Sequence, residues 1–214
     1  MYFDQEPEVQ NANLFDYQLH VFKYPNLGGI ITKALDFFAK IPLHHLPPPE
    51  TFSGPGVYAL YYVGDYELYT PIVTQNCDKP IYVGKAVPPG SRTARIQRGE
   101  SSDLIGRLRE HTESINAATN LKTEHFRCRF MILDGPERDL IVPVESQLIR
   151  DYRTVWNSCI SGFGIHTPGK GRFGQQPSQW DTLHPGRAWL ERLTGKPRDA
   201  EMLREKVRLW FIAP

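Results

Sequence analysis

The sequence predicts an α+β domain on three observations: two segments with strand composition rich in Tyr and Val, a third segment that alternates in polarity, and amphipathic stretches of helical period around them. Residues 57–63 and 80–84 supply the first two strands, separated by a polar insertion containing Asn76, Asp78 and Lys79. In residues 126–132, Phe126, Cys128, Phe130 and Ile132 fall on one face and Arg127 and Arg129 on the other, as in a half-buried strand. The expected core is a small, mixed three-stranded β-sheet flanked by helices.

Residues 28–40 place Ile30, Ile31, Ala34, Leu35 and Phe38 at helical spacing, and the run Pro47-Pro48-Pro49 ends regular structure after them. Residues 1–50 therefore read as an N-terminal extension and 51–160 as the core. Residues 161–214 form a loop followed by helices at 187–193 and 200–210, and the whole chain is expected to be one compact unit. There is no internal repeat and no low-complexity tract.

Composition narrows the class. A chain of 214 residues, 40% hydrophobic, is long enough to bury a core. Cys77, Cys128 and Cys159 are too few and too scattered for a disulfide framework and form no CxxC pair, which fits a reducing cytoplasm. Residues 1–13 are polar and acidic, with no basic segment leading into an apolar one, and no run approaches transmembrane length. A cytoplasmic protein, neither secreted nor membrane-spanning, is expected.

A net charge of +1 names no partner, but the charges are unevenly spread. Lys85, Arg92, Arg95 and Arg98 lie in a stretch without one acid, and a second acid-free stretch at 161–179 holds His166, Lys170 and Arg172 among Gly, Pro, Ser, Thr and Gln. Both have the composition of loops that approach phosphates and base edges. Solvated surface loops would have the same composition.

Two helices flank the third strand. The first spans about 102–118, and at about 100° per residue Leu104, Leu108 and Ile115 form its buried stripe. Arg107 and His111, one turn apart, sit together on the flank of that stripe, while Arg109, Glu110 and Glu113 face away. Such a pair can hold and polarise a phosphate, the guanidinium as a bidentate fork and the imidazole as proton donor or acceptor. Spacing alone leaves a structural ion pair or a packed histidine open. The second helix starts near Pro143, with Val144, Leu148 and Tyr152 as its stripe. Glu145 projects inside that apolar arc, and a buried carboxylate needs a partner: a structural arginine or a metal ion. Magnesium is commonly held by one carboxylate completed by waters and phosphate.

Gly56-Val57-Tyr58 and Tyr82-Val83-Gly84, followed by Arg107, His111, Glu145 and Asn157, resemble the GIY-YIG nuclease family in kind and in order. Val57 and Val83 replace the isoleucines of the family name, and both β-branched types suit a buried strand. Four further stretches are similar to the type II restriction enzymes of this family that recognise the palindrome CCGCGG: Leu46-Pro47-Pro48-Pro49-Glu50, the 81–88 segment around Lys85, Gly162-Phe163-Gly164-Ile165-His166-Thr167-Pro168-Gly169 and His184-Pro185-Gly186-Arg187-Ala188-Trp189.

The resemblance implies magnesium-dependent hydrolysis of phosphodiester bonds in double-stranded DNA, with Mn2+ as the alternative ion. It implies that Glu145 holds the metal near the leaving oxygen, that Arg107 contacts the scissile phosphate, and that Tyr58 is the base or base relay. A free tyrosine is a poor base at neutral pH, and Lys85 and His111 are the available helpers. Tyr82 and Asn157 would orient water and phosphate or support the site through hydrogen bonds. A homodimer is implied as well, in agreement with the simplest way to read a palindrome, together with a methyltransferase that protects host DNA as a functional partner. DNA contacts are expected from Arg92, Arg95, Arg98, His166, Lys170 and Arg172, with Arg172 reading guanine and Lys170 holding phosphate. A repair, homing or recombination nuclease on the same core, or a DNA-binding protein without catalysis, are the alternatives.

Overall fold

A computed structural model describes residues 17–87, 104–165, 167–169 and 171–213. Arg92, Arg95, Arg98, His166 and Lys170 lie outside the described residues, as does part of the N-terminal extension.

Within the described residues the strands are β1 (His44–His45), β2 (Gly56–Tyr62), β3 (Pro80–Ala86) and β4 (Phe126–Ile132), in one sheet of order β1-β4-β2-β3. Every pairing is antiparallel, so the sheet is four-stranded and antiparallel where three strands of mixed direction were expected. The additional strand is only two residues long, His44 opposite Cys128 and His45 opposite Arg127, too short for any alternation to reveal it.

All seven residues of β2 are buried, because it is flanked by β4 and β3 and both sheet faces are covered. Alternation then sorts its side chains. Tyr58, Leu60 and Tyr62 join one apolar cluster with Leu104 and Leu108, whereas Val57, Ala59 and Tyr61 join a second with Phe38, Val144 and Leu148. The helices that supply these partners are α1 (Leu27–Lys40), α2 (Leu104–Ala117) and α3 (Ile141–Tyr152).

β4 is likewise packed on both faces, which corrects its half-buried reading. Phe126 and Cys128 are buried in the first cluster and Met131 in the second, while Ile132, at the strand's end, is exposed. Arg129 lies with its guanidinium 5.2 Å from the centroid of the Tyr61 ring. The stripe on α3 is shorter than its period predicts: Val144 and Leu148 are buried but Tyr152 is exposed, since the helix ends at Arg153, whose left-handed φ of 45° turns the chain away. A 3-10 turn at Gly135–Leu140 runs into α3, so the helix begins two residues before Pro143, whose missing N–H falls among the first-turn donors that have no intrahelical acceptor.

The C-terminal segment wraps the first cluster. A π-helical turn at Val155–Cys159 brings Trp156 under the sheet, α4 (Gln179–Leu183) adds Trp180, and α5 (Ala200–Ile212) adds Leu203 and Val207. Residues expected as a helix at 187–193 form a 3-10 turn, Ala188–Arg192. Cys77, Cys128 and Cys159 are free and buried. No helix among the described residues is long and apolar enough to cross a membrane.

Candidate active site

Two glycines shape the strands for the site. Gly56 has φ +156°, and a Cβ there would fall 1.9 Å from the Met131 carbonyl oxygen, so no other residue permits this approach of β2 to β4. Gly84 pairs with Tyr58 across β2 and β3, and a Cβ there would fall 2.4 Å from the Tyr58 hydroxyl. The glycine of Tyr82-Val83-Gly84 thus leaves the space in which the ring of Tyr58 lies.

Tyr58, Tyr82, Arg107 and His111 come together on the first-cluster side of the sheet. The Tyr58 hydroxyl is 2.5 Å from Nε2 of His111, and both side chains are buried. Tyr82 packs edge-on to His111 at 5.2 Å between centroids. Arg107 and Tyr82 both act electrostatically on the Tyr58 hydroxyl, in opposite senses. Burial, reinforced by the neighbouring Tyr82, pushes Tyr58 well above the usual tyrosine value, although Arg107 draws it down. Tyr82 is also raised, by burial first, with Arg107 opposing and the Glu145 carboxylate adding to the rise. Both phenols are therefore neutral near pH 7, and Tyr58 can pass a proton on but cannot begin as a phenolate.

Glu145, on α3, reaches the same rim from the other face. β3 is the edge strand of the sheet, and the Glu145 carboxylate acts on Tyr82 at that edge. Glu145 is paired there with Lys85 of β3; its side chain is 13% exposed and that of Lys85 34%. The partner that burial of Glu145 demanded is this lysine rather than an arginine.

Asn157 closes the same edge. Its Oδ1 accepts from the Val83 N–H at 2.8 Å and its Nδ2 donates to the Val83 carbonyl at 2.8 Å, while Thr154 Oγ1 donates to Oδ1 at 2.7 Å. The carboxamide pairs with β3 as a further strand would, fixing the backbone between Tyr82 and Lys85.

Arg107 also pairs with Glu110, which reaches back from the side expected to face solvent, and donates to the Gly164 carbonyl at 3.4 Å. A cavity of about 310 Å3 opens beside Arg107 and His111, between α2 and the chain around Gly164, Thr167 and Trp189. Arg172 is exposed, in a turn whose N–H at Arg172 bonds back to the Gly169 carbonyl, and among the described residues no contact joins it to the tyrosines. Phe163, stacked on His111 at 4.6 Å and 18°, was not anticipated as part of the site. Its signal was present in Gly162-Phe163-Gly164, an aromatic between two glycines.

Among the described residues no three His, Cys, Asp or Glu side chains form a metal cage. The single Glu145 carboxylate, partnered by Lys85 and with no group of acidic or imidazole ligands around it among the described residues, fits a hydrated hard cation completed by water and phosphate oxygens and not a closed zinc or calcium site.

An antiparallel sheet carrying the two tyrosine motifs, an Arg and His one turn apart, and a glutamate on the next helix define a GIY-YIG nuclease. The Eco29kI GIY-YIG domain family matches residues 50–211, most of the chain, and the protein belongs to that family of restriction endonucleases. Its activity is thus that of a nuclease and its substrate is DNA. No curated protein matches the chain.

Proposed function

We propose that the protein is a type II restriction endonuclease that cuts both strands of the palindrome CCGCGG as a cytoplasmic homodimer, one active site per strand, with a cognate methyltransferase protecting the host site. The observation that carries the catalytic reading is the hydrogen bond between the Tyr58 hydroxyl and His111 Nε2, with Arg107 and, through Tyr82, Glu145 acting on the same group.

Hydrolysis needs a base for water, neutralisation of the phosphorane-like charge and stabilisation of the departing 3′ oxygen. Tyr58 fills the first as a relay: its oxygen takes a proton from water as its own proton passes to Nε2 of neutral His111, so no phenolate accumulates. Arg107 binds the scissile phosphate, exchanging its contact with Glu110 for the stronger fork to a phosphate. Glu145 holds Mg2+ (or Mn2+), which when bound supplies Lewis-acid stabilisation of the leaving oxygen. Lys85, released from Glu145 as phosphate enters, adds a second positive charge to the pocket. Tyr82 borders the phosphate, and Asn157 keeps β3 in register.

Residues 51–160 form the catalytic core in this reading, residues 1–50 and 161–214 supply dimer and DNA contacts, and Arg92, Arg95, Arg98, His166, Lys170 and Arg172 face DNA. Plasmid digestion with magnesium and with chelator, followed by run-off sequencing of the ends, tests the proposal. Discrete magnesium-dependent fragments ending within CCGCGG are expected. Nicking or a smear would point to a repair or recombination nuclease, and an intact plasmid to a DNA-binding protein without catalysis.

A further inference from the structure

Asp181 and Arg187 form an ion pair that is almost wholly buried, at 1% and 6% exposure. Arg187 Nε donates to Asp181 Oδ1 at 2.7 Å, and Ser178 Oγ donates to the other carboxylate oxygen at 2.7 Å. The guanidinium lies between two indoles, 4.6 Å from the centroid of Trp180 and 5.1 Å from that of Trp189. Such a pair adds little net stability, because desolvation offsets the attraction and an apolar replacement of equal volume often does as well. What it does provide is direction. The two remaining arms of the fork both go to one short turn, Nη2 to the Gly162 carbonyl at 2.8 Å and Nη1 to the Ile165 carbonyl at 3.3 Å.

That turn is a roof over the catalytic cluster. Phe163 stacks on His111 and meets Tyr82 edge-on at 4.9 Å. A Cβ on Gly164 would fall 2.6 Å from the Tyr82 hydroxyl, and the Gly164 carbonyl accepts from Arg107. Gly162, with φ +111°, is pressed on Ser178, where a Cβ would lie 2.0 Å from Oγ. The turn therefore touches His111, Tyr82 and Arg107 on one side and is gripped by Ser178 and Arg187 on the other.

We infer that Arg187 is a positioning residue for DNA cleavage: anchored by Asp181, it holds the turn from Gly162 to Ile165 as the roof that sets the ring of His111 and the guanidinium of Arg107. The inference rests on the reading of His111 and Arg107 as catalytic.

The test compares Arg187→Lys, which keeps a cation for Asp181 but cannot reach both carbonyls, with Phe163→Leu, which keeps an apolar side chain but removes the ring. Single-turnover cleavage per active site is measured in magnesium, and affinity for the same duplex in calcium. Each variant is expected to cleave at least about tenfold more slowly while binding DNA within about threefold of the wild type, since sub-ångström misplacement acts on the chemical step. The double variant should be about as slow as the slower single one, because both changes act through one turn. A folded Arg187→Lys protein that cleaves at the wild-type rate, or whose loss of rate is matched by an equal loss of affinity, would overturn the inference. If Arg187→Lys does not fold, Phe163→Leu decides alone, and an undiminished rate overturns the roof. His111→Gln separates the two levels. Wild-type cleavage by His111→Gln overturns the catalytic reading itself, whereas an inactive His111→Gln beside fully active Arg187→Lys and Phe163→Leu overturns only the role of Arg187.

Discussion

Gly84 faces Tyr58 across the β2–β3 pair so closely that a single methyl group on Gly84 would meet the Tyr58 hydroxyl at 2.4 Å. That hydroxyl is hydrogen bonded with His111 Nε2, in space that a side chain on the opposing strand would take. Gly84→Ala should therefore move the Tyr58 ring and slow cleavage about tenfold or more, at an overpacking cost of about 1–3 kcal/mol. Single-turnover kinetics and chemical denaturation on the same protein check both; cleavage at the wild-type rate would show that the ring has room to spare.

Tyr58→Phe removes the hydroxyl and leaves the packing. If Tyr58 relays the proton of water to His111, the single-turnover rate falls on the order of a hundredfold. Burial holds the phenol neutral, so the loss should persist up to pH 9. An unchanged rate would reduce Tyr58 to a core residue.

Asn157→Leu keeps the volume but removes both bonds to Val83. Leaving the Val83 N–H and carbonyl without those partners should cost about 1–3 kcal/mol, read as a lower denaturant midpoint with unchanged slope. Asn157→Asp retains the acceptor for the N–H but not the donor for the carbonyl, and should fall between. Equal stability of all three proteins would remove Asn157 from the support of β3.

His184 sets an acid limit on stability. It is fully buried, and its Nε2 is bonded to the Tyr69 hydroxyl at 2.5 Å and its Nδ1 to Asn120 Oδ1 at 2.9 Å. Burial, with Arg187 and Arg204 adding to it, lowers its pKa from 6.5 to about 3. The unfolded chain then binds a proton between those values that the folded chain refuses, so stability rises with pH across that window. It is complete above about 6.5 and is lost on acidification, at up to about 1.4 kcal/mol per pH unit. Melting temperatures at pH 7.5 and pH 5 should differ less in His184→Gln than in the wild type; the same drop in both would place the acid sensitivity elsewhere.

Much of this architecture is legible in the sequence, because the strands and helices follow simple periods and the two tyrosine motifs lie on strands at fixed places in the order. The wheel that put Arg107 and His111 on one flank of α2 is matched by their joint approach to Tyr58. Periodicity cannot report contacts between elements far apart in sequence. It demanded a partner for Glu145 but could not name Lys85, which lies 60 residues earlier on an edge strand. It took Phe163 and Arg187 as parts of a DNA-contacting loop and a C-terminal helix, since neither stacking on His111 nor a grip on two carbonyls leaves a periodic trace. Tyr152 extends the apolar stripe of α3 on paper, but Arg153 ends the helix just where that residue would have to pack.

The most direct test of the account is cleavage of a duplex carrying one CCGCGG site by wild-type protein and by Glu145→Gln, each with magnesium and with chelator, beside the binding of the same duplex in calcium. The wild type should cut both strands only with magnesium. Glu145→Gln should bind DNA within about threefold of the wild type and yet cleave it at least about a thousandfold more slowly, because the substitution removes the carboxylate assigned to hold the ion while leaving phosphate and base contacts in place. Full magnesium-dependent cleavage by Glu145→Gln would contradict the account.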